Sequence, residues 1–351
     1  MKDLLHEKPT DQVLVVIPCL NEEKYIEQIV TSLESECSRI NLTIVVADGG
    51  STDRTRAIVQ RMAQVNPHVR MMDNPKRIQA AAINDAVRQY GANARFVVRV
   101  DAHASYPHQY CEKLLTAQDR TKADSVVVSM NAEGSACLQR AAAAAQNSLL
   151  GNGGSSHRIR SDGRWVDHGH HALMTAAAFK AVGGYDEAFS HNEDAELDVR
   201  LTKGGFRIYL TGDLQVTYYP RGTLAGLFGQ YFNIGRGRAR NFLKHRKNAK
   251  LRHLVLAGIA PVICVAAFFP FASIFALPVL MWIFICLTYG LILGFRLHDR
   301  CALASGLAAM ITQAGWSFGF FVELLSKLPL LRGQPNRETG RKPKEQRQVP
   351  Q

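Results

Sequence analysis

From residue 254 to about 325 nearly every position is apolar, interrupted at "FFPFAS". A run of this kind reads as membrane sequence. The sequence just before it favours the bilayer. Arg236, Arg238, Arg240, Lys244, Arg246, Lys247, Lys250 and Arg252 follow one another with no acid among them, and they hold eight of the twelve excess positive charges. Basic residues beside an apolar run mark a cytoplasmic membrane flank. Nucleic-acid binding is the other reading of a basic run, but no nucleic-acid motif accompanies this one, so no nucleic-acid partner is expected. Residues 254–270 and 273–295 each approach the ~20 residues that cross a bilayer, which predicts a hairpin with both ends cytoplasmic. The third run, 301–325, carries Thr312, Gln313, Ser317 and Glu323 and has basic flanks on both sides. Three full spans would put the basic tail, 332–351, outside against the charge rule, so a tilted, re-entrant or interfacial third helix stays open. The tail itself reads as disordered.

The first 250 residues mix apolar and charged positions and form a domain of their own. Their start, "MKDLLHEKPTDQ", lacks the apolar core of a signal peptide, which predicts a domain on the cytoplasmic side of an inner-membrane protein. The seven cysteines include no CxxC pair, so neither a disulfide framework nor a zinc site is expected; they read as small apolar fillers in a reducing compartment.

Within this domain strands and helices alternate. "VLVVIPCL" (13–20) is a buried strand and "EEKYIEQIVTSLES" (22–35) an amphipathic helix. "TIVVADGG" (43–50) is followed by a helix capped by Thr52 or Asp53. An Ala-rich helix spans 77–90, and strands follow at 95–101 and 125–130. Residues 147–163 read as a mobile Gly/Ser-rich loop. A helix, a Gly-Gly turn, a second helix and a last strand complete the domain. The βαβα order predicts a mostly parallel sheet with helices on both faces.

Ligands of such sheets bind beyond the C-terminal strand ends, and polar clusters fall there four times. "IPCLNEE" leaves the first strand with Pro18, Asn21 and Glu22. "ADGGSTD" ends the second with Asp48 and Ser51. Asp48 is suited to accept hydrogen bonds from a base or ribose, although the glycine pair matches no phosphate-loop pattern. "RFVVRVDAHASYP" ends with Asp101 and His103, which lie two residues apart and so face one side of an extended chain. A carboxylate and an imidazole suit Mg²⁺ or Mn²⁺, the imidazole favouring Mn²⁺. "HNEDAELD" crowds Glu193, Asp194, Glu196 and Asp198 at a helix start, where acids also simply favour the dipole. Packed carboxylates are expected to raise one another's pKa, which suits Asp194 to general-base work.

Five stretches in this order, "VVIPCLNEEKYI", "VVADGGSTDRT", "RVDAHASYP", "GGYDEAFSHNEDAEL" and "GQYFNIGRGRAR", resemble the family 2 glycosyltransferases of the GT-A fold over residues 12 to 245. "AQNSLLGNGG" and "VDHGHHALM" further resemble the succinoglycan-biosynthesis branch, whose members add glucose during exopolysaccharide assembly. The resemblance implies a hexosyltransferase with a UDP-sugar donor, a divalent metal (Mg²⁺ or Mn²⁺) and inversion at the anomeric carbon. It implies a polyprenyl-diphosphate-linked saccharide as acceptor, contact with membrane lipid, and other exopolysaccharide-assembly proteins as partners. Carried residue by residue, Pro18, Asn21, Glu22, Asp48 and Ser51 match the nucleotide-binding part. Asp101 matches the first Asp of the Asp-x-Asp metal motif, and Asp194 the catalytic base. The second motif Asp is His103 here, and the Gln-x-x-Arg-Trp motif of processive synthases is absent after Gln230. A processive polysaccharide synthase is thereby disfavoured, since two or three spans are also few for a translocation channel. A nucleotidyltransferase would carry a Gly-rich, basic N-terminal signature that "IPCLNEE" lacks. A non-enzymatic membrane adaptor has only His103 in its support.

Overall fold

The computed structural model describes residues 12–153, 162–246, 251–268 and 273–327. The expected disordered tail, and residues 154–161 of the expected mobile loop, lie outside the described residues. The chain opens with β1 (Val13–Cys19), α1 (Ile26–Glu34), β2 (Leu42–Asp48), α2 (Thr55–Val65), β3 (Val69–Asp73), α3 (Gln79–Tyr90), β4 (Phe96–Arg99), α4 (Tyr110–Thr121) and β5 (Ser125–Ala132). It continues through α5 (Cys137–Gln146), α6 (Leu149–Asn152), β6 (Arg164–Val166), β7 (His170–Thr175), α7 (Ala176–Ala181), α8 (Glu193–Lys203) and β8 (Ile208–Tyr218). Four long helices follow: α9 (Leu224–His245), α10 (Leu251–Phe268), α11 (Ser273–Leu297) and α12 (Ser305–Ser326).

The strands form one sheet in the order β3-β2-β1-β4-β7-β5-β8-β6. β1, β2, β3 and β4 are mutually parallel, as are β5 and β8. β7 is inserted antiparallel between β4 and β5, and β6 closes the edge antiparallel to β8. β1 shows why the inner strands read as apolar runs: all seven of its residues are buried. Val13, Val15 and Ile17 join the core beneath α1 and α4, while Leu14 and Val16 join the opposite core beneath α3 and α8. Pro18 is tolerated in this central strand because β4 pairs only as far as Val16, whose carbonyl accepts from Val100. Two residues on, Pro18 points the same way, past the end of that ladder, and its missing N–H forfeits no bond.

Several expectations are corrected. α2 begins at Thr55 with Arg54 at its N-cap, one residue past Asp53 and two past Thr52; Asp53 accepts from the Thr55 amide at 3.0 Å. Within 147–163, Leu149–Asn152 is helical. Asn147 is pinned there by the Ala132 amide, which donates to its Oδ1 at 2.9 Å. Cys137 and Cys301 form a disulfide with Cα atoms 5.0 Å apart, against the expectation of none. They are 164 residues apart in sequence, and the fold brings them together by packing α5 on the short 3₁₀ turn, Cys301–Ala304, ahead of α12.

α10, α11 and α12 are each long and apolar enough to cross a membrane, but they differ in surroundings. The first two leave most of their surface exposed, whereas half of α12 is buried inside the protein. α12 packs along α9 so closely that a Cβ on Gly319 would stand 1.9 Å from the Phe232 carbonyl oxygen. Its polar residues face inward with partners. Glu323, 2% exposed, accepts from Arg236 and Arg240 of α9. Ser317 donates to the Ala257 carbonyl, the acceptor that Pro261 cannot serve within α10 because it has no N–H.

Candidate active site

β1 lies between β2 and β4, so the connections after these strands leave the sheet edge in opposite directions and open a crevice. The loops on its β2 side are tied to each other. Asn21, at φ 56°, donates its amide to Ser51 Oγ at 2.8 Å and accepts the Thr52 amide on Oδ1 at 2.8 Å. The Glu22 amide donates to Thr55 Oγ1 at 2.8 Å. Asp48 is buried and accepts from the Gly50 and Ser51 amides, the Ser51 hydroxyl and Arg56 Nη1 at 2.6 Å. A carboxylate offers about four such sites. Asp48 therefore builds the turn, and a nucleoside reaches it only by displacing one of these donors. Burial raises its pKa, but the Ser51 and Arg56 bonds outweigh that and hold it below the ordinary carboxylate value.

Across the crevice, after β4, Asp101 and His103 lie on a turn, with the Ala104 amide donating to the Asp101 carbonyl at 3.3 Å, and not on the extended chain expected. His103 Nδ1 lies 3.0 Å from Glu22 Oε1, so the third cluster joins the first. The bond to Glu22, more than the opposing burial, raises the imidazole pKa. A ring nitrogen engaged by a carboxylate is the usual arrangement of a metal-binding histidine, with Nε2 left to the metal. Among the described residues no group of three or more His, Cys, Asp or Glu side chains is placed to hold a metal by itself. Mg²⁺ and Mn²⁺ do not need one, since they commonly take one or two protein donors and complete their shell with phosphate oxygens and water. Asp101 and His103 fit that pattern.

The side that faces α8 is organised by a residue that the sequence motifs do not include. Arg99, the last residue of β4 and 5% exposed, donates to Asp101 Oδ1 at 3.2 Å, Glu193 Oε1 at 3.2 Å, Asp194 Oδ1 at 2.8 Å and Gln79 Oε1 at 2.6 Å. His170, at the start of β7, stands between the same two acids, Nε2 at 3.7 Å from Asp101 Oδ2 and Nδ1 at 3.4 Å from Asp194 Oδ2. Tyr185 donates its hydroxyl to Asp194 Oδ1 at 2.8 Å. A charged residue inside the apolar run "RFVVRVD" was the visible signal for Arg99. Nothing in the sequence alone pairs His170 or Tyr185 with Asp194.

The expected mutual rise in pKa among the acids of "HNEDAELD" is corrected, because α8 fans them apart. Asp194 turns to Arg99, Glu196 to Arg200, Lys244 and His245, and Asp198 to His168 and His171. Burial opposes the charge of Asp194, yet Arg99, His170 and His171 outweigh it and hold its pKa far below the ordinary value. Glu193, buried with one long bond to Arg99, is pushed up. The two acids share one guanidinium nitrogen, Arg99 Nη1.

Residues 14–183 match the model of glycosyl transferase family 2. The chain is 49% identical over 312 residues to the succinoglycan biosynthesis protein ExoA of Rhizobium meliloti (strain 1021), covering 89% of this chain and 94% of that protein. It is 24% identical over 233 residues to the dolichyl N-acetyl-alpha-D-glucosaminyl phosphate 3-beta-D-2,3-diacetamido-2,3-dideoxy-beta-D-glucuronosyltransferase of Methanococcus voltae, covering 64% and 71% of the two chains. Among solved structures, the mannosyltransferase PcManGT from Pyrobaculum calidifontis, in complex with GDP-Man and Mn²⁺, is similar in fold at a TM-score of 0.55, with 20% identity and 92% of each chain covered. The sheet described above is that of the GT-A fold.

Proposed function

This chain belongs to glycosyl transferase family 2, and on that premise we propose that it moves a hexose, glucose, from a UDP-sugar to a polyprenyl-diphosphate-linked saccharide during assembly of a succinoglycan-type exopolysaccharide. One observation carries the mechanism: Asp101, the diphosphate-side acid, and Asp194, the base, share Arg99 and face the same imidazole, His170. Donor and acceptor chemistry therefore meet at one point.

Asp101 and His103 would hold the divalent cation, which when bound neutralises charge on the diphosphate. Glu22 fixes the His103 ring so that Nε2 is the free donor. Pro18, Asn21, Glu22, Asp48 and Ser51 shape the floor on which the nucleoside rests. Asp194 takes the proton of the acceptor hydroxyl on Oδ2, because Oδ1 already accepts from Arg99 and Tyr185. Arg99 and His170 keep it ionised, and Arg99 and Tyr185 keep it aimed, while the acceptor oxygen attacks the anomeric carbon from the side opposite the leaving UDP. Arg99, held by four acceptors, sets the spacing between the two acids.

The hairpin α10–α11 sits in the cytoplasmic membrane with the catalytic domain on the cytoplasmic side. Confinement there raises the effective concentration of a lipid-borne acceptor. UDP release measured across a panel of sugar nucleotides, with extracted lipid-linked oligosaccharides as acceptor, tests the reading. UDP-glucose is expected to be the best donor. Release from no UDP-sugar, or pyrophosphate in place of UDP, overturns it.

A further inference from the structure

Between the catalytic domain and the C-terminal helices lies a cavity of about 1040 Å³. Val255, Ile259, Val262, Met281 and Ile285 line it from α10 and α11, which makes that wall apolar. The opposite wall carries His168, Asn192 and Arg238, and Arg252 stands at the start of α10.

Arg238 has no counterpart on its own helix. Arg236 and Arg240, two residues to either side, both end on Glu323. Arg238 is partly buried, and among the described residues no hydrogen bond or ion pair engages it. Burial and the like charge of Arg252 lower its pKa to about 10, so it remains protonated at neutral pH. Asp198, the acid nearest in effect, is already held by His168 and His171. Arg252 donates to the Gly153 carbonyl at 3.1 Å, which leaves most of its fork unused. Even a partly buried cation without a partner is costly unless an anion meets it. Two guanidiniums at the mouth of an apolar cavity, beside helices of membrane-spanning length, call for an anion with a long apolar tail.

We propose that this cavity is the acceptor site, with Arg238 and Arg252 gripping the diphosphate of a polyprenyl diphosphate and its isoprenoid chain lying against α10 and α11. This rests on the lipid-linked acceptor proposed above. The site opens beside the catalytic residues. Asn192 lines the cavity two residues before Asp194, and His168 lines it two residues before His170. α9 presses on the loop leading into α8: a Cβ on Gly237 would stand 2.2 Å from the His191 carbonyl oxygen, and Arg238 is the next residue. A head group held at Arg238 therefore presents its sugar toward Asp194. The guanidinium fork suits this task, since it binds phosphate oxygens in pairs.

Two of the three tryptophans in the chain, Trp282 and Trp316, line the cavity, which gives a readout independent of turnover. The full-length protein in nanodiscs is titrated with a long-chain polyprenyl diphosphate, the corresponding polyprenol, inorganic pyrophosphate and phosphatidylglycerol, following tryptophan fluorescence. The polyprenyl diphosphate is expected to bind well ahead of the other three. R238Q and R252Q are each expected to weaken it about tenfold or more, the scale of a lost charge-assisted bond, with UDP-sugar binding retained. Gly258 lines the cavity with nothing within 4 Å of its added Cβ, so G258F should fill the apolar limb and weaken lipid binding while both arginines stay intact. Equal binding of polyprenol and polyprenyl diphosphate, or of phosphatidylglycerol and polyprenyl diphosphate, overturns the proposal. So does unchanged lipid affinity in all three variants. If transfer to lipid-linked acceptors proceeds at unaltered KM in R238Q and R252Q, this site is wrong and the proposed function stands. If the wild type transfers to no lipid-linked acceptor, the proposed function itself fails.

Discussion

The two sides of the crevice are built on opposite principles. On the β2 side the polar groups satisfy one another: Asn21 and Ser51 lock two loops together, and Asp48 fills its acceptor sites from its own turn and from Arg56 of α2. That half is complete before any substrate arrives. On the α8–α9 side charge is less fully paired, with His170 held only loosely between two acids and Arg238 facing a cavity that no acid lines among the described residues. On the proposed function, one half would fix the donor's position by shape, while the other half would be completed electrostatically by metal, diphosphate and acceptor.

Breaking the link between the halves should have the largest effect. Asp101 is the donor-side acid bonded to Arg99, and Asp101→Asn is expected to abolish measurable transfer and metal-dependent UDP binding together. Calorimetric titration with UDP and Mn²⁺ checks this, and full activity in excess chelator would contradict it. Asp194→Asn comes next. It keeps size and most hydrogen bonding, so turnover should fall about 100-fold or more while UDP-sugar binding survives. Turnover within a few-fold of wild type would move the base to Glu193.

Glu196 sharpens the comparison by being acidic, adjacent and unconnected to chemistry. It is fully buried and pairs with Arg200, Lys244 and His245, which ties α8 to α9. Glu196→Gln should cost about 2–4 kcal/mol of stability, seen as a lower Tm, with turnover of the folded protein little changed. Burial works against its charge, but the Arg200 and Lys244 bonds outweigh it, so its folded pKa is depressed. The stability it lends is therefore present above the unfolded glutamate value and is lost as pH falls through the folded one. Glu196→Gln should accordingly flatten the acid side of the Tm profile. The smallest effect is expected at His103. His103→Asp exchanges a borderline ligand for a hard one and should leave transfer intact while shifting preference from Mn²⁺ toward Mg²⁺. A folded but inactive His103→Asp protein would assign the imidazole another task.

Much of the donor half is legible in sequence because its signals are local. Apolar runs such as "VLVVIPCL" are parallel strands buried on both faces, and the acids sit where those strands end. The Gly-Gly turn, α8 and β8 follow in the expected order. β7 escaped notice because "HHALMT" alternates poorly and owes its place to insertion between β4 and β5. The Cys137–Cys301 bond and the Arg99–Asp194 pair join residues 164 and 95 positions apart, and no local pattern encodes such distances. The polar residues of α12, which made its path ambiguous, prove to be inward-facing partners of α9, α10 and α11.

UDP released from the best donor by a single preparation of the full-length protein, with and without a lipid-linked oligosaccharide, separates the two sides of the crevice. A prebuilt donor side and an acceptor-dependent catalytic side predict tight metal-dependent donor binding in both cases, but one UDP and one transferred hexose per acceptor only when the lipid is present. Release to water or free sugar at the same rate, or a long polymer grown from that single sugar nucleotide, would contradict it.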